Sequence, residues 1–158
     1  MRRTMADALL KEMQKNDKIF LLVGDLGYKV WDEHFKLFPK RCINCGASEQ
    51  AMLDIAVGLA YDGKIPFCYS IATFLVYRPF ETLRTYIDFE NLPVKLVASG
   101  RNDDYKEDGI SHDATDVGLF LSPLANIIQY WPKSKGIIPK MLKQMLADEG
   151  PSFISLKR

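Results

Sequence analysis

The sequence predicts an α/β fold, a three-layer sandwich in which helices cover both faces of a mostly parallel sheet. Apolar runs of strand length alternate with helix-periodic segments from one end of the chain to the other. The first such run, Ile19-Phe20-Leu21-Leu22-Val23, is apolar at every position, as a strand covered on both faces should be. No internal repeat, low-complexity tract or linker interrupts the alternation, so the 158 residues are read as one domain over 1–158. A chain of this length buries roughly 70% of its unfolded surface.

The elements follow in order. Met5, Ala6, Leu9, Leu10 and Met13 recur at helical spacing, with Asp7, Lys11, Gln14 and Lys15 opposite, and Asn16-Asp17 ends that helix. The strand Ile19–Val23 is closed by Gly24, which puts Asp25 at its carboxyl end. Trp31 to Phe38 reads as a short helix stopped by Pro39, with His34 on the surface. Ile43 lies in a short strand broken by Gly46. Ser48 is placed to cap a helix whose residues Ala51, Met52, Leu53, Ile55, Ala56, Val57 and Leu59 predict burial all round. Pro66–Ser70 is a strand, and Thr73–Phe89 a helix in which Pro79 marks either the first turn or a kink. Val94–Ala98 is a strand, and Ser99–Ile110 a polar loop longer than most connections. A helix over Ser111–Leu121, a strand over Ile127–Tyr130, an amphipathic helix over Ile137–Leu146 and a strand over Phe153–Leu156 complete the chain.

Composition excludes several functions. Charged residues make up 26% of the chain and the formal charge is +1, so no electrostatic case exists for nucleic acid or anionic membrane. No run approaches a membrane span, and Asp7 and Lys11 interrupt any signal-peptide core, so a cytoplasmic location is expected. Cys42, Cys45 and Cys68 are an odd count and read as reduced thiols. The pair Cys42-x-x-Cys45 lacks the further ligands of a zinc site, and no metal ligand is assigned on this chain. Walker, G-x-G-x-x-G, GxSxG and H-E-x-x-H patterns are all missing.

What remains lies at the carboxyl edge of the sheet, where open α/β folds place their ligand crevice. Asp25, Glu49, the Thr73–Phe74 turn and the loop at Gly100 all fall there. Glu49 opens the apolar helix, and a buried carboxylate costs several kcal/mol unless it is paired. It is either a first-turn acid favoured by the helix dipole or a functional group. Phe74, Tyr77 and Phe80, three apart, line a flat aromatic pocket or fill the core. His112, after the acidic loop, is an acid–base group, a ligand donor or a solvent-facing helix residue.

Taken together, Gly24-Asp25-Leu26, Arg41…Gly46-Ala47-Ser48-Glu49-Gln50, Gly58-Leu59-Ala60, Gly63–Phe67, Ala72-Thr73-Phe74, Leu92–Val97, Glu107–His112 and Pro151–Leu156 stand in an order and spacing that resembles the transketolase family. More narrowly, the chain resembles that family's pyrimidine-binding domain, of the thiamine-diphosphate-binding fold. The resemblance implies that Glu49 is catalytic, hydrogen-bonding N1′ of the cofactor's aminopyrimidine and promoting its imino tautomer. It implies that Phe74, Tyr77 and Phe80 surround the pyrimidine and that Asp25 lies near the thiazolium side chain and the donor sugar. It implies substrate contacts for Asp108 and a catalytic and substrate role for His112.

Three departures shape the expectation. The family's histidine after Leu96-Val97 appears as Gly100, leaving that substrate position without a side chain. A phosphate-contacting arginine appears as Trp131, which argues against recognition of an ordinary sugar phosphate and admits a nucleotide-sugar acceptor. Asn102-Asp103-Asp104-Tyr105-Lys106 replaces a small glycine-rich segment. The G-D-G…N signature for the diphosphate and its Mg2+ or Ca2+ is not in the sequence, and the family's third domain is expected to be missing. The resemblance therefore implies a split enzyme, with diphosphate and metal held by a separate transketolase-like subunit in a two-plus-two hetero-oligomer. Its substrates would be small sugars, with two-carbon ketol transfer to an aldose or related acceptor. A 2-oxoacid decarboxylating or deoxyxylulose-phosphate-synthase-like carboligase, or a non-catalytic assembly or regulatory subunit, are the alternatives.

Overall fold

The computed structural model describes residues 1–158. Six parallel strands form one sheet: β1 (Ile19–Val23), β2 (Cys42–Asn44), β3 (Ile65–Ile71), β4 (Lys95–Ser99), β5 (Ile128–Tyr130) and β6 (Ser152–Leu156), in the order β2-β1-β3-β4-β6-β5. The helices are α1 (Arg2–Met13), α2 (Asp32–Leu37), α3 (Glu49–Tyr61), α4 (Ala72–Tyr77), the single turn α5 (Phe80–Thr82), α6 (Val117–Leu121) and α7 (Ile138–Ala147). The three-layer α/β sandwich expected from the alternation is the observed fold. No helix is long and apolar enough to cross a membrane.

The sheet divides the interior into two cores. On one face Met5, Leu9 and Met13 of α1 and Ile138, Leu142 and Met145 of α7 pack on Leu21, Phe67, Val97 and Ile154, with Trp31 beside them. On the other, Met52, Leu53 and Ala56 of α3, Leu75 and Val76 of α4 and Val117 and Leu121 of α6 cover Leu22, Cys68, Leu96 and Phe153. Alternate residues along each strand point to opposite faces, so both cores are built from the same strands. Cys42, Cys45 and Cys68 are free thiols.

Four local expectations are corrected. The segment Thr73–Phe89 is not one helix. α4 ends at Tyr77, α5 follows Pro79, and Leu83–Asp88 winds as a π-helix. Proline has no N–H for the bond one turn back, so the break falls at Pro79. The predicted helix over Ser111–Leu121 is a 3-10 turn at Ile110–His112 followed by α6. Asp113 accepts from the Thr115 backbone N–H at 3.0 Å and Ala114 N–H donates to Asn102 O at 2.8 Å, which pulls the chain out of helical geometry between them. α3 is not buried all round: Gln50, Ala51, Asp54, Ile55 and Gly58 are exposed, because the sheet covers only one side of it. Ser48, with ψ 74°, makes no side-chain bond to the helix it precedes.

His34 is not on the surface. Its ring is 1% exposed, edge-on to Trp31 at 5.0 Å, and neither ring nitrogen has a hydrogen-bond partner. Burial holds its pKa down to about 4, with the Ala6 carbonyl and Asp7 pulling weakly the other way.

Candidate functional site

α3 carries the chain from edge strand β2 to β3, which lies on the far side of β1. Its first residue, Glu49, therefore arrives beside the exits of both β1 and β3, at a switch in strand order. The carboxylate is 1% exposed. Oε1 accepts from the Ser70 hydroxyl at 2.7 Å, and Oε2 accepts from Arg78 Nη1 at 2.6 Å. Gly24, at the exit of β1, gives the carboxylate room: a Cβ there would lie 3.0 Å from both Glu49 Oε1 and Ser70 Oγ. A buried acid with both oxygens bonded and one ion pair has its burial offset; neither partner alone would do so.

Beside this carboxylate runs a row of rings. Phe74 on α4 carries the Arg78 guanidinium over its face, 3.6 Å from the centroid, and meets the His112 ring edge-on at 4.8 Å. Thr73 Oγ1 donates to Ser111 O at 2.7 Å, tying α4 to the turn that bears His112. His112 Nδ1 lies 3.0 Å from Ser111 Oγ. Tyr77 and Phe80 flank Phe120 of α6, each edge-on, at 4.8 and 4.7 Å. The Tyr77 hydroxyl donates to Asp116. Burial, then that hydrogen bond, pushes the phenol well above its ordinary pKa, so it stays a donor. Phe74, Tyr77 and Phe80 are half-buried, neither sealed in the core nor free in solvent.

The remaining predicted residues stand apart. Asp25 has a positive φ of 55°, accepts from Asn44 Nδ2 at 3.1 Å, and opens onto a separate crevice of about 480 Å³ lined also by Tyr28, Trp31 and Phe35. Asp108 is exposed in a 3-10 turn. Gly100, with φ +85°, is covered by Tyr105, whose ring would be 2.4 Å from a Cβ at that position. Tyr105 also faces His112 at 6.4 Å and shares a 2.9 Å hydrogen bond with Ser99 Oγ. Structure thus groups Glu49, Phe74 and His112 into one neighbourhood, Tyr77 and Phe80 into the next, and leaves Asp25 and Asp108 at the rim. Trp131 packs against Gly118, whose Cβ would meet it at 3.0 Å. The guanidinium beside it, Arg101, donates to Ser155 Oγ, Ser155 O and Pro132 O and is buried. No three His, Cys, Asp or Glu side chains converge as a metal cage.

Sequence reading missed Ser70, Arg78, Tyr105, Asp116 and Phe120. Ser70 was visible as the one serine in a largely apolar strand, and Arg78 as a cation four residues past Phe74, the spacing that stacks side chains on one helix face. Tyr105 and Asp116 reach the site from loops, and Phe120 from the short helix α6 that a loop positions, so none left a periodic signal.

Comparisons with known proteins show the family. The family model described as the transketolase pyrimidine-binding domain matches residues 1–158. A putative transketolase C-terminal section of Methanocaldococcus jannaschii is 28% identical over 100% of this chain and 50% of its own. The 6-deoxy-6-sulfo-D-fructose transketolase subunit SqwH of a Clostridium species is 30% identical over 100% of this chain and 49% of its own. The chain thus spans about half the length of these curated relatives. Among solved structures, a split-gene transketolase described as an inactive β4 tetramer superposes with a TM-score of 0.86 at 32% identity, covering 99% of this chain and 51% of that one. Transketolase from Leishmania mexicana shares the fold, with a TM-score of 0.88 at 20% identity over 99% of this chain and 25% of its own. A carboxylate buried at the strand-order switch, a row of half-buried rings beside it and a model match over every residue lead to one assignment: the chain belongs to the transketolase pyrimidine-binding domain family.

Proposed function

We propose that this chain is the pyrimidine-binding subunit of a two-component, thiamine-diphosphate-dependent transketolase-like enzyme that moves a two-carbon ketol unit from a ketose to an aldose or related acceptor. One observation carries the reading: Glu49 is a carboxylate 1% exposed, anchored by Ser70 and joined through Arg78 to the face of Phe74, the first of a row of half-buried rings. A planar aminopyrimidine with a ring nitrogen fits that pair of features, since it needs a flat apolar wall and one buried acid.

Bound thiamine diphosphate supplies the nucleophilic carbon on which the two-carbon unit travels. Glu49 shares a proton with ring nitrogen N1′. Ser70 and Gly24 fix the carboxylate's position, and Phe74, Tyr77 and Phe80 orient the ring and exclude water. His112, beside Phe74, exchanges protons with the substrate's oxygens, and the carboxylates of Asp25 and Asp108 accept from its hydroxyls. Gly100 leaves its substrate position to the Tyr105 ring. Diphosphate and its Mg2+ or Ca2+ are assigned to a partner subunit.

An acceptor not gripped through an ordinary sugar phosphate, such as a nucleotide sugar, is supported by Trp131 and by Arg101, whose donors are occupied by Ser155 and Pro132. The same residues also serve a 2-oxoacid decarboxylating or deoxyxylulose-phosphate-synthase-like carboligase. The test mixes this chain with a diphosphate-binding partner, thiamine diphosphate and magnesium, and offers ketose and 2-oxoacid donors separately. Ketol transfer that disappears in Glu49→Gln supports the reading; turnover only from the 2-oxoacid selects the carboligase. No turnover in any mixture selects a non-catalytic assembly role.

A further inference from the structure

Glu49 Oε1 is taken by Ser70, so Oε2 is the oxygen left to face the rings. Arg78 takes it. The guanidinium donates from Nη1 at 2.6 Å and at the same time lies over the Phe74 ring, 3.6 Å from its centroid. A guanidinium is flat, carries N–H donors in its plane and stacks on aromatic faces. Those are also the demands a planar nitrogen heterocycle would make of the same two residues. Arg78 and such a ring cannot hold Glu49 Oε2 and the Phe74 face together.

The arm is built to leave. Its side chain is 46% exposed, whereas Glu49 is 1% exposed. It springs from the last turn before Pro79, where the helix is already interrupted. Its recorded polar contact is with Glu49. Departure without a replacement would leave a buried carboxylate with only the Ser70 hydroxyl, which is costly. Departure in exchange for a ring whose nitrogen takes up a proton from solvent and shares it with the same oxygen is not.

We propose that Arg78 is a displaceable internal occupant of the pyrimidine subsite, resting on Glu49 and Phe74 until the ring takes its place. The inference builds on the pyrimidine-binding reading and adds a positioning residue to it. While seated, Arg78 keeps the buried acid paired and aimed. It also lowers the apparent affinity for the ring by the fraction of chains in which the arm is out.

The experiment titrates the full chain with 4-amino-2,5-dimethylpyrimidine, which carries the ring without the diphosphate, and follows binding and the Arg78 guanidinium resonances by NMR. In the wild-type chain the probe should release the restricted guanidinium signals as it binds. Arg78→Ala should bind at least about tenfold tighter. Arg78→Lys, which keeps the charge without the planar fork, should fall between the two, and carries the measurement if the alanine variant does not fold. A residue that merely stabilised the fold would lower the melting temperature without raising probe affinity. Equal or weaker binding by both variants, with binding still lost in Glu49→Gln, overturns the occupant and leaves the subsite standing. Binding by no variant, or binding indifferent to Glu49→Gln, overturns the subsite reading and this inference with it.

Discussion

Ser70 donates its hydroxyl to Glu49 Oε1 across 2.7 Å, from the buried end of β3 to the first residue of α3. This bond fixes which carboxylate oxygen is free. A hydrogen bond to a charged group contributes roughly 1.5–3 kcal/mol, so Ser70→Ala should lower turnover in the reconstituted enzyme by about tenfold or more. Glu49→Gln removes the proposed proton partner itself and should cost about 10²–10⁴-fold. Steady-state rates measured with a saturating partner subunit check both, and equal effects of the two variants would refute the separate roles.

Gly24→Ala introduces a methyl group 3.0 Å from both Glu49 Oε1 and Ser70 Oγ. Overpacking of this kind costs about 1–3 kcal/mol. Denaturant unfolding should show that loss, and cofactor-dependent activity should fall with it because the carboxylate is pushed from its seat. Stability and activity both unchanged would mean that the neighbourhood is looser than the geometry shows.

Gly100 and Tyr105 form a matched pair. Any side chain at 100 faces two penalties: φ +85°, and a Cβ 2.4 Å from the Tyr105 ring. Strain in this backbone region costs about 1–2 kcal/mol. Gly100→Ala should therefore destabilise the protein by more than that alone, and adding Tyr105→Ala should recover the steric part. A double-mutant cycle on unfolding free energies measures the coupling; an additive cycle would show that the ring does not constrain position 100.

His34 gives the fold an acid-sensitive element. Its folded pKa of about 4 lies below the ordinary 6.5, so between these values the unfolded chain binds more protons than the folded one. Stability is full above about pH 6.5 and is lost as pH falls toward 4, by up to about 3 kcal/mol for this group. His34→Leu should flatten that part of the stability–pH curve and raise stability at pH 5, since it also removes two unpartnered nitrogens. Thermal melts of both proteins from pH 4 to 8 decide it, and identical slopes would sink the assignment.

Much of the architecture was legible because the strands are covered on both faces. Runs such as Ile19–Val23 and Leu96–Ala98 had to be apolar throughout, and their spacing by helical segments fixed the parallel α/β class. Glu49 was legible for a related reason: an acid on an apolar helix has few stable explanations. His34 was misread because a histidine carries no mark of burial in its neighbours; only the packing of Trp31 and α1 around it encloses it. Pro79 announced a break, but where the chain would resume, and as a π-helix, depends on long-range contacts with α3 and α6. Arg78 was passed over because an arginine on a short helix is usually solvated. Its seat on Glu49 depends on a residue twenty-nine positions earlier.

The sheet that separates the two cores has a further consequence. His34 belongs to the layer of α1, α2 and α7, and Glu49 to the layer of α3, α4 and α6. The strands between them act as a bulkhead, so the compartment around His34 and the one around Glu49 share a wall but few side chains. Substitutions can accumulate behind it, hardening or softening the protein against acid and heat, while the face around Glu49 keeps its settings.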